Sequence, residues 1–366
     1  MSYRQRIDDL IRQVPTSLVN MGLERKPARI PTQASSEFTT NREQGDWAEN
    51  ILLTAINRTA RQHVAVRYGK SDDRVAGEAG FAEFYAEFQQ ELDTIGKRPD
   101  ILVFRRGDVP AEWGTDISRR LPAELDEVVG RALVGLEVRS SAFLSAKYEA
   151  AMTARTQRNI ALALSIKAEI QRDYADLLDH VARQPYAMIL NSITTATLGA
   201  IDFRVPSWRG SPALTKLSAL FRQLKDALQE LKKRDFLSIT PKVEDLKVVY
   251  RWTQCYNVPH FYVQVFFDRA YALSYEHILH LLTNPDNEDV LFFTEADVKN
   301  QNKTTIKINP KEGRELAGRV EEPRHESRRK ELERGRLLYY VAFEAGAAHL
   351  NLDSLAALLN IPTTDL

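Results

Sequence analysis

Cysteine is nearly missing: Cys255 stands alone among 366 residues, which excludes an internal disulfide and a thiolate zinc site and predicts a reducing compartment. Net charge is missing too, since 50 Lys and Arg balance 50 Asp and Glu, so nothing in the total announces a nucleic-acid or membrane partner. Any basic surface must be local. No run reaches the ~18 apolar residues of a membrane span, and the opening MSYRQRIDDLIRQV has no secretory apolar stretch, which predicts a cytoplasmic protein. A glycine-rich phosphate loop, a Gly-x-Ser-x-Gly elbow and a His-Glu-x-x-His pair are all absent, so nucleotide hydrolysis, serine-hydrolase and zinc-protease chemistry have nothing to stand on. There is also no internal repeat or low-complexity tract.

What remains is an ordinary folded chain, 43% hydrophobic and 27% charged, long enough for two or so domains at ~150 residues each. Of its 50 cations 34 are Arg and 16 Lys, a bias that suits bidentate contacts to phosphate or guanine and fits genomic base composition equally well. The pattern predicts a first helix over Ile7 to Val19 and a polar connector from Arg25 to Thr40. Thr40 and Asn41, each three residues before Glu43 or Gln44, are capping-box options for a second helix through Trp47, Ile51, Leu52, Ala55 and Ile56. A strand over Gln62 to Gly69 follows, then a helix with Phe81, Phe84, Tyr85, Phe88, Leu92 and Ile95 on one face, stopped at Gly96. Two further strands are expected, one entered at Pro99-Asp100 and one in RALVGLEVRSS, separated by an excursion over residues 107 to 130. A long helical stretch from Phe143 to Arg183, a break near Pro206 to Pro212, and helices over Leu217 to Lys233 and Thr240 to Trp252 lead to the strand VPHFYVQVFFD. Short strands (LFF, TTIKI, LLYYVAF) alternate with charged loops to the end. The expected divisions are 1–40, an N-terminal helix and connector; 41–270, the core with insertions; and 271–366, a strand-rich extension continuous with that core.

Asp100 opens one strand and Glu137 lies near the end of the next, so neighbouring strands of a mixed sheet can bring the two carboxylates together. Period-two alternation puts Arg139 on the face of Glu137, with Leu136 and Val138 turned to the core. Converging carboxylates hold a divalent cation, and magnesium takes one or two of them plus waters and phosphate oxygens. That donor set suits phosphodiester hydrolysis, with a nearby cation holding the phosphate. A second stretch, Pro285-Asp286 followed by Asp297-Val298-Lys299, has the same spelling but starts in a turn rather than on an apolar strand, so the earlier pair is favoured. Arg139 cannot give up its proton near neutrality, which excludes it as a general base. Either Arg139 or Lys147, eight residues further on, could meet the scissile phosphate; an exposed Lys147 with no such role is equally expected. Glu49 shares a helix face with Leu52, Leu53 and Ile56 and is a further candidate, with Glu43 as its rival and a solvated boundary Glu as the alternative. His260, Tyr262, Gln264 and Phe266 share a strand face expected in the core, with the His260 ring hydrogen-bonded near its edge, and His63 is expected to be structural.

The Pro-Asp, strand, Glu-x-cation pattern resembles the PD-(D/E)xK nuclease superfamily, with Arg139 in place of the usual Lys. EFTTNREQGDWAE (Glu37 to Glu49), GKRPDILVF (Gly96 to Phe104), GLEVRSSAFLSAKY (Gly135 to Tyr148) and the stretch Lys242 to Asp268 resemble, in order, the restriction endonucleases of the AccI type. The resemblance implies an α/β (α+β) fold: a restriction-endonuclease-like core, its central mixed β-sheet flanked by helices, with helical insertions and a β-rich C-terminal part. It implies a type II enzyme that binds a short, roughly palindromic duplex site, of the GTMKAC kind if specificity follows, as a homodimer and cuts both strands with Mg2+. Asp100 and Glu137 would hold the metal, and a third acidic residue such as Glu49 would come from the preceding helix. Arg324, Arg328, Arg329, Lys330, Arg334 and Arg336 form the densest basic run, assigned to phosphate before base contact; with Glu321, Glu322, Glu326, Glu331 and Glu333 interleaved, a self-paired charged helix is as well supported. The competing functions are a non-catalytic DNA-binding protein with a nuclease-like sheet and a non-specific repair nuclease of the same superfamily.

Overall fold

A computed structural model describes residues 1–20, 22, 29–70, 74–233, 237–297 and 303–366. The chain divides into one unit of residues 1–145 with 237–366 and a second of residues 146–236. The strands are β1 (His63–Arg67), β2 (Ile101–Arg105), β3 (Val134–Ser141), β4 (His260–Phe266), β5 (Ala270–Ser274), β6 (Phe292–Asp297), β7 (Lys303–Ile308), β8 (Arg314–Val320), β9 (Arg324–Glu331), β10 (Leu337–Glu344) and β11 (Ala348–Leu350). In chain order the helices are α1 (Tyr3–Gln13), α2 (Ser36–Thr59), α3 (Phe81–Thr94), α4 (Pro122–Val129), α5 (Ser145–Asp173), α6 (Ala175–Leu178), α7 (Gln184–Ser192), α8 (Pro212–Lys232), α9 (Val243–Tyr256), α10 (Tyr275–Thr283) and α11 (Leu352–Leu359).

Seven strands form the central sheet in the order β1-β2-β3-β4-β5-β8-β11. β3 and β4 run parallel and every other neighbouring pair is antiparallel. Both faces are covered, which is why Ile101 to Phe104 is an unbroken apolar run. Ile101 and Val103 join Leu136 and Val138 in a core with Ile51, Leu52 and Ile56 of α2 and with α11, while Leu102 and Phe104 join Leu125 of α4 and Trp252 of α9. Tyr262 and Leu273 pack with α1, α9 and α10. The architecture is thus the expected mixed sheet flanked by helices, with β9–β10 and β6–β7 as separate two-stranded sheets. The second unit is helical, with its own core around Leu217, Phe221 and Leu224 of α8, Tyr174, Phe203 and Leu190 of α7. No described helix is long and apolar enough to cross a membrane.

Several boundaries differ from expectation, each for a local reason. The first helix spans Tyr3–Gln13 instead of Ile7 to Val19, because Pro15 pushes Val14 into an extended conformation. Helix α2 begins at Ser36, with the Ser35 hydroxyl accepting from Phe38 N–H at 3.0 Å, rather than at Thr40 or Asn41. Thr40 instead accepts from Val341 N–H of β10 at 3.1 Å. Pro241 precedes α9 rather than lying in its first turn. The basic run is not a helix: residues 324 to 331 form β9, paired residue by residue with β10. Of the second Pro-Asp stretch, Pro285–Asn287 is a 3-10 turn, and Val298 and Lys299 lie outside the described residues.

Candidate active site

Helix α3 ends at Thr94, and Gly96 follows in the left-handed region at φ +87°. A Cβ on Gly96 would stand 2.2 Å from the Val248 carbonyl oxygen and 2.6 Å from Trp252 N, so glycine lets the chain press onto α9. The next residue donates its N–H to that same Val248 carbonyl at 3.0 Å, fixing the backbone of Lys97. Lys97 and Arg98 then point apart. Arg98 pairs with Glu91 at 2.6 Å and lies over the Tyr68 ring at 5.0 Å, and Lys97 turns to Glu137. Pro99 sits where a Cβ on Gly135 would come within 2.6 Å of it, so the strand holding Glu137 passes tightly under this segment. The register pairs Ile101 with Leu136, which brings the preceding Asp100 close enough to Glu137 to feel its charge. Asp100 Oδ2 accepts from Val138 N–H at 2.6 Å.

Glu137 is fully buried, and its Oε1 receives Lys97 Nζ at 2.5 Å and Arg139 Nη2 at 2.7 Å. The same two cations reach Asp245 Oδ2 of α9, at 3.4 Å and 3.0 Å. Burial favours the neutral form of Glu137, but Arg139 and Lys97 outweigh it and hold the carboxyl below its usual range. Asp245 behaves alike, burial being overcome by Lys97 and Arg139. Lys97 is raised despite burial and Arg139, because Asp245, Glu137 and Asp100 surround it, so it is a fixed cation. Asp100 goes the other way: burial and then the charge of Glu137 push it up to about 7. Glu49 is raised well above its usual value by burial and then by Asp100, and its Oε2 pairs with Arg67 Nη1 at 3.2 Å.

The expected residues therefore fall in different places. Asp100, Glu137 and Arg139 meet, and Glu49 lies within the field of Asp100 and Glu137. Glu43 instead feels Asp46, Arg42, Arg328 and Lys330. Lys147 is exposed on the first turn of α5, in the second unit. His63 is buried at the start of β1. His260 is buried, but the hydrogen bond expected for its ring is not found: neither ring nitrogen has a partner among the described residues. Its neighbours are the rings of Trp252, Tyr262 and Tyr275, and burial pushes its pKa down to about 4, so it is neutral. Sequence reasoning missed Lys97 and Asp245. Asp245 had a signal of the kind used for Glu49: it precedes Val248, Val249 and Trp252 by three, four and seven, an acid in line with an apolar stripe. Lys97 had only its position three residues before Asp100.

Among the described residues no group of three or more His, Cys, Asp or Glu side chains could by itself hold a metal ion. Two carboxylates suffice for magnesium when water and phosphate complete the octahedron. Glu137 Oε2 is buried without a hydrogen-bond partner, and Asp100 is pushed up by burial and then by the charge of Glu137, a mutual repulsion that a divalent cation between the two would relieve. In comparisons with known proteins, the family described as AccI restriction endonuclease matches residues 1–366, the whole chain. No curated protein and no solved structure matches it.

Proposed function

The chain belongs to the AccI restriction endonuclease family, a type II site-specific deoxyribonuclease acting on DNA, and from that premise we propose that it cuts both strands of a short, roughly palindromic site with Mg2+ held by Asp100 and Glu137. Restriction endonucleases generally use divalent metal ions. The observation that carries the choice of residues is the closeness of Asp100, bonded to Val138 N–H, to Glu137, whose unpartnered Oε2 lies beside two fixed cations. Magnesium, when bound, polarises a phosphate oxygen and acidifies a water. Asp100 contributes a carboxylate oriented by Val138 N–H, and Glu137 contributes Oε2 while Oε1 stays with Lys97 and Arg139. Arg139 pairs with Glu137 and Asp245 and cannot act as a base. Glu49, tied to Arg67 and close enough to feel the charge of Asp100, is the third carboxylate. A homodimer is the assembly that matches a two-fold site, one such cluster serving each strand. The site read would be of the GTMKAC kind if specificity follows the family.

Plasmid of known sequence, incubated with the protein and magnesium, is expected to give discrete fragments whose mapped ends define the site. Asp100→Ala is expected to retain DNA binding and lose cleavage by about 10³-fold or more. Undiminished cutting by that variant would remove Asp100 from the chemistry, and a smear instead of bands would remove the site specificity.

A further inference from the structure

We propose that Lys97, rather than the motif's own third residue, presents the ammonium that acts on the scissile phosphate, and that Asp245 is the positioning residue that holds it. The inference rests on Asp100 and Glu137 being the metal-holding pair. Two cations, Lys97 and Arg139, and two carboxylates, Glu137 and Asp245, form a closed ring in which each cation touches both carboxylates. Their charges cancel, so the ring sits beside Asp100 without a net charge of its own. Within it the cations are not equivalent. A guanidinium is a planar fork that delivers its donors in one plane, whereas an ammonium carries three donors around one compact charge. One Lys97 donor goes to Glu137 at 2.5 Å and one toward Asp245 at 3.4 Å, leaving a third for a phosphate oxygen. The stem is fixed as well, by the left-handed Gly96 and by the Lys97 N–H bond to Val248 of the helix that carries Asp245. One helix thus positions the lysine at its backbone and at its tip.

In the hydrolysis the water oxygen bonds to phosphorus, the bond from phosphorus to the leaving sugar oxygen breaks, and the water proton ends, by way of solvent, on that oxygen. Lys97 keeps its proton throughout and offsets the negative charge gathering on the phosphoryl oxygens.

The test uses the full chain, cognate plasmid and single-turnover conditions, with Mn2+ binding to the DNA-free protein followed by electron paramagnetic resonance. Lys97→Met keeps the aliphatic stem, and Arg139 still neutralises Glu137. It is expected to cut on the order of 10²–10³-fold more slowly, the cost of one electrostatic donor, while Mn2+ binds as tightly as before or more tightly. Cleavage within about threefold of the parent overturns the proposal, and so does loss of Mn2+ binding together with cleavage, because the lysine would then only be holding the metal site together. In either case an inactive Asp100→Ala leaves the metal-site reading intact, whereas an active one sinks that reading instead. Should Lys97→Met fail to fold, Lys97→Arg keeps the ion pair and is expected to cut at least about tenfold more slowly; the parent rate in that variant overturns the proposal equally. For Asp245, followed at steady state, Asn is expected to lower kcat about tenfold with KM within about twofold, and Glu to recover most of the loss. A raised KM with kcat intact removes its positioning role.

Discussion

The sheet end around Asp100 and the β9–β10 ribbon carry similar side chains and use them in opposite ways. At the sheet end Glu137, Asp245, Lys97 and Arg139 are largely withdrawn from water and share partners across β3, α9 and the turn before β2. On the ribbon Arg324 to Arg329 are all exposed, and their ion pairs join close neighbours, Arg328 with Glu344 across the two strands and with Glu326 along one. Buried charges must find fixed partners, since each unpaired one costs several kcal/mol, so the first arrangement imposes geometry. Exposed pairs contribute about 0–1 kcal/mol and impose little. The same letters thus fix a geometry in one place and leave a solvated surface in the other, and what differs is the packing beneath them.

The sharpest way to break that contrast is at one left-handed glycine in each region, Gly96 beside α9 and Gly335 in the ribbon turn. Gly96→Ala must push a Cβ into the Val248 carbonyl and is expected to destabilise by about 4 kcal/mol. Gly335→Ala meets nothing within 4 Å and pays only for its backbone conformation, about 1 kcal/mol. Denaturant unfolding of the two variants checks this; equal losses would mean that the sheet end is no more tightly specified than the ribbon.

A smaller effect comes from pH. The folded pKa of Asp100, about 7, lies above its usual 3.8, so its contribution to stability is whole below about pH 4 and is lost as pH rises through 7. Glu137 and Asp245 are lowered and act in the opposite sense, their contribution present above the usual carboxylate range and lost on acidification below it. Of these three carboxylates only Asp100 changes between pH 5 and 8. Metal-free Asp100→Asn is therefore expected to gain on the parent over this interval, by at most about 3 kcal/mol. Unfolding curves at the two pH values report it, and a constant difference would show that Asp100 is ionised throughout. Magnesium should restore more stability at pH 8 than at pH 5, since it binds the ionised pair.

Asp100, Glu137 and Arg139 could be read from the chain because strands β2 and β3 announce themselves as apolar runs, and period two fixes which side chains turn away from the core. Lys97 could not, because it stands in a turn with no period, where only the contact of Gly96 with α9 decides that it points to Glu137 while Arg98 points to Glu91. Asp245 was legible in principle from the stripe of Val248, Val249 and Trp252, but its partners come from positions 97 and 139, and no spacing connects them. Strand β9 was hidden for the converse reason. With no apolar face, its alternating Arg and Glu fit a helix with i, i+4 pairs as well as a strand, and the pairing that decides the matter is supplied by β10. The start of α2 misled in a similar way: Thr40 has the chemistry of a cap but is used by β10.

The ribbon offers the smallest effect and the finest test of the comparison. Arg329 and Tyr339 are register partners on its exposed face, opposite the face that buries Leu338 and Ala342. A two-stranded ribbon is narrow enough for a DNA groove, and a cation there meets phosphate before bases. Arg329→Ala is expected to leave stability within about 0.5 kcal/mol, because nothing packs on an exposed guanidinium. It should weaken DNA binding less than about tenfold, equally on cognate and unrelated duplexes, and reduce the slope of log K against log salt by about 1, the signature of one lost phosphate contact. An unchanged slope would return the ribbon to a solvated face, while discrimination lost at one base pair would move Arg329 from holding the duplex to reading it.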